Sequence, residues 1–144
     1  MPNEKHFSMV KPTLDSPLHI DFSWWKQNDS NWRIFLFNFL CDKHRNIFKD
    51  QDDNVMIDYV DPETAEVKHV DGLLYTLMNH CARQEEFISN STSLVSTVFR
   101  IFLSNGNEPL TSRELATITG KSATIILRTF SSPHIFKGIR LLSK

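Results

Sequence analysis

Two short stretches bring together residue types that hold metal ions or react as nucleophiles. Cys41-Asp-Lys-His44 has the spacing of a zinc-ligand pair, and His80-Cys81 lies further along the chain. Neighbouring residues on one helix point about 100° apart, so His80 and Cys81 are not expected to reach the same ion. The chain has 2 cysteines and no CxxC pair to anchor a structural site. The expectation is therefore no metal and no cofactor, with Cys41 and Cys81 as small buried thiols. There is no Gly-rich phosphate loop, nucleophile elbow, HExxH pair or paired-carboxylate pattern, and the 6 histidines are scattered. An enzyme is not expected.

The charge distribution suggests a different chemistry. The formal net charge of the 144 residues is −1. Residues 96–144 carry Arg100, Arg113, Lys121, Arg128, Lys137, Arg140 and Lys144 against Glu108 and Glu114, a net of +5. Residues 1–95 carry nine basic and fifteen acidic side chains, a net of −6. A basic C-terminal third on an acidic body points that third toward an anionic partner. The near-neutral total argues against indiscriminate coating of nucleic acid. Hydrophobic residues make up 40% and charged residues 23%, enough to bury a core and to exclude wholesale disorder. No apolar run approaches the roughly 20 residues of a bilayer span, so no membrane partner is expected.

Most of that basic charge flanks or falls within residues 110–131, LTSRELATITGKSATIILRTFS. Thr111 is an N-cap, and Glu114 three residues on completes a capping box. The short helix that follows turns Leu115, Ala116 and Ile118 inward, and Gly120 ends it where the chain needs a positive φ. Ser122 caps a second helix whose apolar stripe is Ala123, Ile126, Leu127 and Phe130. Two short helices joined by a glycine turn make a helix-turn-helix.

This segment resembles the helix-turn-helix of winged-helix bacterial regulators, especially the catabolite-activator type, through Thr111, Glu114, Leu115, Ala116, Gly120, Ser122, Ile126 and Arg128. The resemblance implies a recognition helix over residues 122–131, presenting Lys121, Thr124, Ile125, Arg128 and Thr129. Lys121 and the Ser122 hydroxyl, at a helix N-terminus, suit a phosphate. Arg128 suits guanine O6 and N7, and Thr124 or Ile125 a thymine methyl. The two positions after the capping Ser often carry long polar base-readers in that family. Here they are Ala123 and Thr124, which shifts affinity toward phosphate contacts. Beyond Ser131-Ser132-Pro133, Ile135, Ile139 and Leu141 suggest a last strand, with Lys137-Gly138 as a bend. As a minimal wing it would set Lys137 and Arg140 beside the recognition helix, against the DNA backbone. A full wing needs a second strand, for which 55–60 and 67–70 are the candidates.

The remaining chain must position this motif. Pro2, Pro12 and Pro17 make residues 1–20 a mostly extended arm with no secretory signal. A cytoplasmic protein with reduced thiols is expected, with the N-x-S/T triplets at Asn28 and Asn90 unused. Phe22, Trp24 and Trp25 form a short helix or an aromatic lid. Trp32, Phe35, Leu36, Phe39 and Leu40 recur at helical spacing, predicting one helix over 31–48 that Asp29 or Ser30 caps, with a strand over 34–40 as the alternative. Ile34, Phe37 and Cys41 widen its stripe, so it is central to the fold or packs on a partner. Residues 50–54 form an acidic loop, and 55–60 with 67–70 a β-hairpin turning at Asp61-Pro62. Helices follow over 73–88 and 93–104, the latter ended by Asn105-Gly106-Asn107.

The fold expected is α+β, mainly α: an arm (1–20), an aromatic helix plus hairpin (21–72) and a winged-helix-like domain (73–144). The function expected is sequence-selective binding of double-stranded DNA by a transcriptional regulator. Its homodimer would form through helix 31–48, because palindromic sites need two copies of the motif. The alternative is a winged-helix protein-interaction module, an adapter or a subunit of a larger complex, favoured by Ile125 and the acidic N-terminal body.

Overall fold

The structure is a computed structural model and describes residues 11–49, 56–60, 62–89 and 93–142. Pro2, the loop at 50–54, Asp61, Asn90 and Lys144 lie outside these residues. The chain begins with β1 (Pro17–Ile20), α1 (Phe22–Asn28), α2 (Trp32–Phe37) and α3 (Asp42–Phe48). The hairpin β2 (Met56–Val60) and β3 (Val67–Asp71) leads into α4 (Gly72–Asn79), a 3-10 turn (Cys81–Arg83) and the short α5 (Glu86–Ser89). Then come α6 (Leu94–Ser104), β4 (Leu110–Thr111), α7 (Ser112–Thr119), α8 (Ala123–Phe130) and β5 (Ile139–Leu141). The fold is α+β and mainly helical. No described helix is long and apolar enough to cross a membrane.

Of the expected arm, residues 1–10 lie outside the described residues, and residues 17–20 are a strand of the core sheet. β1 is the middle strand of an antiparallel sheet ordered β4-β1-β5, with Leu18 opposite Leu110 on one side and Leu141 on the other. Its alternation explains this: Leu18 and Ile20 are buried, whereas Pro17 and His19 face outward. Pro17 costs no ladder bond because it opens the strand, and its carbonyl accepts from Leu142 N–H at 2.9 Å. β4 is too short to pair with all of β1, and a side chain completes the edge. Asn107 Nδ2 donates to Ile20 O at 2.8 Å, and its Oδ1 accepts from Ile20 N–H at 2.9 Å. Asn107 holds φ +61°, a left-handed conformation that Asn tolerates.

The partner of β5 is thus β1, not 55–60 or 67–70. Those two strands form a separate two-stranded sheet, with Met56 opposite Asp71 and Val60 opposite Val67.

The stretch 31–48 is two helices rather than one. After Phe37 the backbone tightens to three-residue bonds (Phe39 N–H to Leu36 O, Leu40 N–H to Phe37 O), and Cys41 is extended before Asp42 restarts the helix. A straight helix apolar around its circumference would leave many of these side chains in water. The break instead buries Leu36 and Leu40 and packs Trp32, Phe35, Phe37 and Phe39 on the same core. The expected helix 73–88 also breaks, with α4 ending at Asn79, His80 outside it and the 3-10 turn following. Helix 93–104 forms as expected, over Leu94–Ser104.

Trp25 is the centre of the core. Its ring meets Trp32, Phe35 and Phe99 edge-on, with centroids 6.1, 5.8 and 5.5 Å away. Such pairs add about 0.5–1.5 kcal/mol each beyond the area they bury. Leu77, Val98, Phe102, Leu115, Ile126 and Ile139 extend this cluster from α4 to β5, so α7 and α8 share one core with α1 and β1.

Candidate functional site

The second half of the chain builds its site from local signals. Thr111 Oγ1 accepts from Glu114 N–H at 3.1 Å, and Glu114 Oε1 accepts from Thr111 N–H at 2.9 Å. This reciprocal pair starts α7. Gly120 ends it in the left-handed conformation at φ +74°, its N–H bonded to Ala116 O. Ser122 Oγ accepts from Ile125 N–H at 3.3 Å and starts α8. Leu115 and Ile126 are completely buried and Phe130 nearly so, which holds the two helices against the core. Ile118 departs from expectation: it is 52% exposed rather than inward.

The face of α8 that remains is the expected one. Lys121, Ser122, Thr124, Ile125 and Arg128 are all exposed, and Thr129 is half-buried with its hydroxyl donating to Ile125 O at 2.7 Å. The Ser122 hydroxyl accepts as a cap and keeps its own hydrogen to donate. Among the described residues, no carboxylate lies within ion-pair distance of Lys121 or Arg128.

Lys137 and Arg140 are not part of that free charge. Lys137 Nζ lies 4.0 Å from Asp29 Oδ2 and 4.4 Å from the centroid of the Phe35 ring. Arg140 lies 3.9 Å from Asp21 Oδ2 and over the Trp24 ring at 5.8 Å. Both side chains are directed to α1 and its flanks because β1, carrying α1 behind it, is the neighbour of β5. Arg140 stands opposite His19, whose imidazole burial holds below the ordinary histidine range despite the opposing pull of Asp21. Lys137 also borders a cleft of about 230 Å³ with Trp24, Asn28, Asp29 and His134.

The structure gathers a second group that sequence reasoning kept apart. Cys41, His44 and His80 each offer a ligand atom within 4.8 Å of the others, and Cys81 adjoins them. The signal was visible as C-x-x-H and H-C. The break between α4 and the 3-10 turn was not: it leaves His80 beside Cys41 and His44, while Cys81 Sγ approaches Cys41 and His44. Burial pushes the Cys81 thiol up to about 11, so by itself it is a poor nucleophile. Burial also holds His44 below the usual range, with His80 and Lys43 adding to the effect.

The aromatic stretch 31–48 offers less surface to a partner than expected. Its rings are used in the core of this chain, and only Ile34 and Ile47 remain as exposed large apolar residues there. No family model, curated protein sequence or solved structure matches the chain.

Proposed function

We propose that this protein binds double-stranded DNA through α8 and acts in the cytoplasm as a non-enzymatic transcriptional regulator. The observation that carries this reading is the exposed face of α8, with two cations, Lys121 and Arg128, that no carboxylate among the described residues pairs, at opposite ends of a capped helix. Lys121 and the Ser122 hydroxyl take a phosphate at the helix N-terminus. Thr124 and Ile125 meet base edges, and Arg128 reads guanine or adds a backbone contact. Lys137 and Arg140 contribute less than their charge suggests, since Asp29 and Asp21 offset them. A palindromic site would need two copies of the chain, joined through Ile34 and Ile47 rather than through the aromatic rings.

Binding to a random duplex, followed against salt concentration, tests this. Affinity is expected to fall steeply with added salt, and Lys121→Ala to reduce the logarithmic slope by about 1. Arg128→Ala is expected to cost about 1–3 kcal/mol if it reads a base. Lys137→Ala and Arg140→Ala should change affinity less than either. Salt-insensitive or absent binding rejects the proposal.

A second reading rests on Ile118 and Ile125, which are 52% and 51% exposed on α7 and α8. Two half-exposed isoleucines suit a protein partner, and that reading makes the chain an adapter or a subunit of a larger complex.

A further inference from the structure

Cys41 and His80 both sit at interruptions of the backbone, and this brings four donor side chains together. Cys41 is extended (φ −68°, ψ 163°) just ahead of α3, and His44 follows within the first turn of that helix. His80 leaves the helical region at φ −129°, ψ −65°, so Cys81 enters the 3-10 turn in a new direction.

Cys41 Sγ lies 3.1 Å from His44 Nδ1 and 3.5 Å from Cys81 Sγ. Cys81 Sγ lies 3.6 Å from His44 Nδ1. The His44 and His80 rings meet edge-on with centroids 4.5 Å apart. A tetrahedral zinc ion, with Zn–S near 2.3 Å and Zn–N near 2.0–2.1 Å, sets its donor atoms about 3.3–3.8 Å apart. Among Cys41, His44 and Cys81, two of the three separations fall in that range and the third lies just below it, and His80 offers a ring nitrogen within 4.8 Å of the Cys41 and His44 donors. Both cysteines are free thiols, and their separation is well beyond the roughly 2.05 Å of a disulfide.

We infer that Cys41, His44, His80 and Cys81 form a structural zinc site. Two thiolates and two imidazoles supply four ligands and leave no open position, so the ion holds the fold and does no chemistry. It ties the start of α3 to the end of α4. An entry path exists, because His80 is exposed and a cleft of about 340 Å³ is lined by Cys41, Asp42, Arg45 and Cys81. The inference goes beyond DNA binding and does not depend on it.

The test uses the full chain, purified under reducing conditions and equilibrated with zinc before dialysis into metal-free buffer. Elemental analysis is expected to find one zinc per chain. Titration of the stripped protein with cobalt(II) should give the intense visible bands of a tetrahedral ion and thiolate-to-cobalt charge transfer, both abolished by zinc. Cys41→Ser and His44→Gln are expected to weaken binding by well over tenfold, more than an outer-shell partner alone would. Chelator should lower the melting temperature of the wild-type chain and leave that of either variant unchanged. If the variants fail to fold, the wild-type cobalt spectrum still decides the matter. Weak octahedral bands, no retained metal, or a mass and thiol titration showing a Cys41–Cys81 disulfide under these conditions would each overturn the inference.

Discussion

Gly138 shows how one residue joins distant parts of this chain. Its φ is +81°, and a Cβ built there would lie 3.1 Å from both Asp21 O and Trp25 Cβ. Its carbonyl accepts from Asp21 N–H at 2.8 Å, which fixes the entry to α1 against the turn before β5. Gly138→Ala therefore strains the backbone and crowds the most buried tryptophan. A loss of about 1–3 kcal/mol is expected in urea unfolding. An unchanged midpoint would mean that the turn relaxes freely. Gly120 is a useful contrast, since it shares the positive φ but has nothing within 4 Å of a Cβ. The bend at Lys137-Gly138 was legible in the sequence, because glycine after a polar residue is a local signal. The contact with Trp25 was not, because it depends on a strand that lies far away along the chain.

Among the elements, α7 was the most legible. Its capping box spans three residues, its terminating glycine is adjacent, and neither needs a tertiary partner to be effective. Thr111→Ala is expected to lower stability by about 1 kcal/mol, the usual contribution of a lost N-cap. Combining it with Glu114→Ala should add little, because each bond supports the other. Full additivity of the two losses in a double-mutant cycle would show that the box is not cooperative. α2 and α3 illustrate the opposite case. Trp32, Phe35, Leu36, Phe39 and Leu40 keep helical spacing across the break, and no proline or glycine marks it. Periodicity measures which residues seek burial, not how far a helix runs before the core turns it. The site inherited this blind spot, since the breaks around Cys41 and His80 bring the four donors together.

The molecule as a whole depends on β1. With β4 and β5 on its two edges, it links α7 and α8 to the aromatic core around Trp25. A chain beginning at Asp21 would lose Leu18 and Ile20 from the core and leave both edge strands without their ladder. Loss of a cooperative thermal transition is expected for that chain. Cooperative melting of the shorter chain would show that the sheet is dispensable.

The sequence by itself determined what acts within a turn or two: the caps of α7 and α8, the glycine between them, the hairpin and the exposed row from Lys121 to Arg128. It also marked which side chains are apolar enough to seek a core. Tertiary structure alone decided that residues 17–20 lie at the middle of the sheet, that Asp29 and Asp21 offset Lys137 and Arg140, and that Cys41 and His44 meet His80 and Cys81. Local signals come from hydrogen bonds and periodicity along the chain. Pairing between distant segments is set by how the whole chain buries its apolar surface, which no short stretch of sequence specifies.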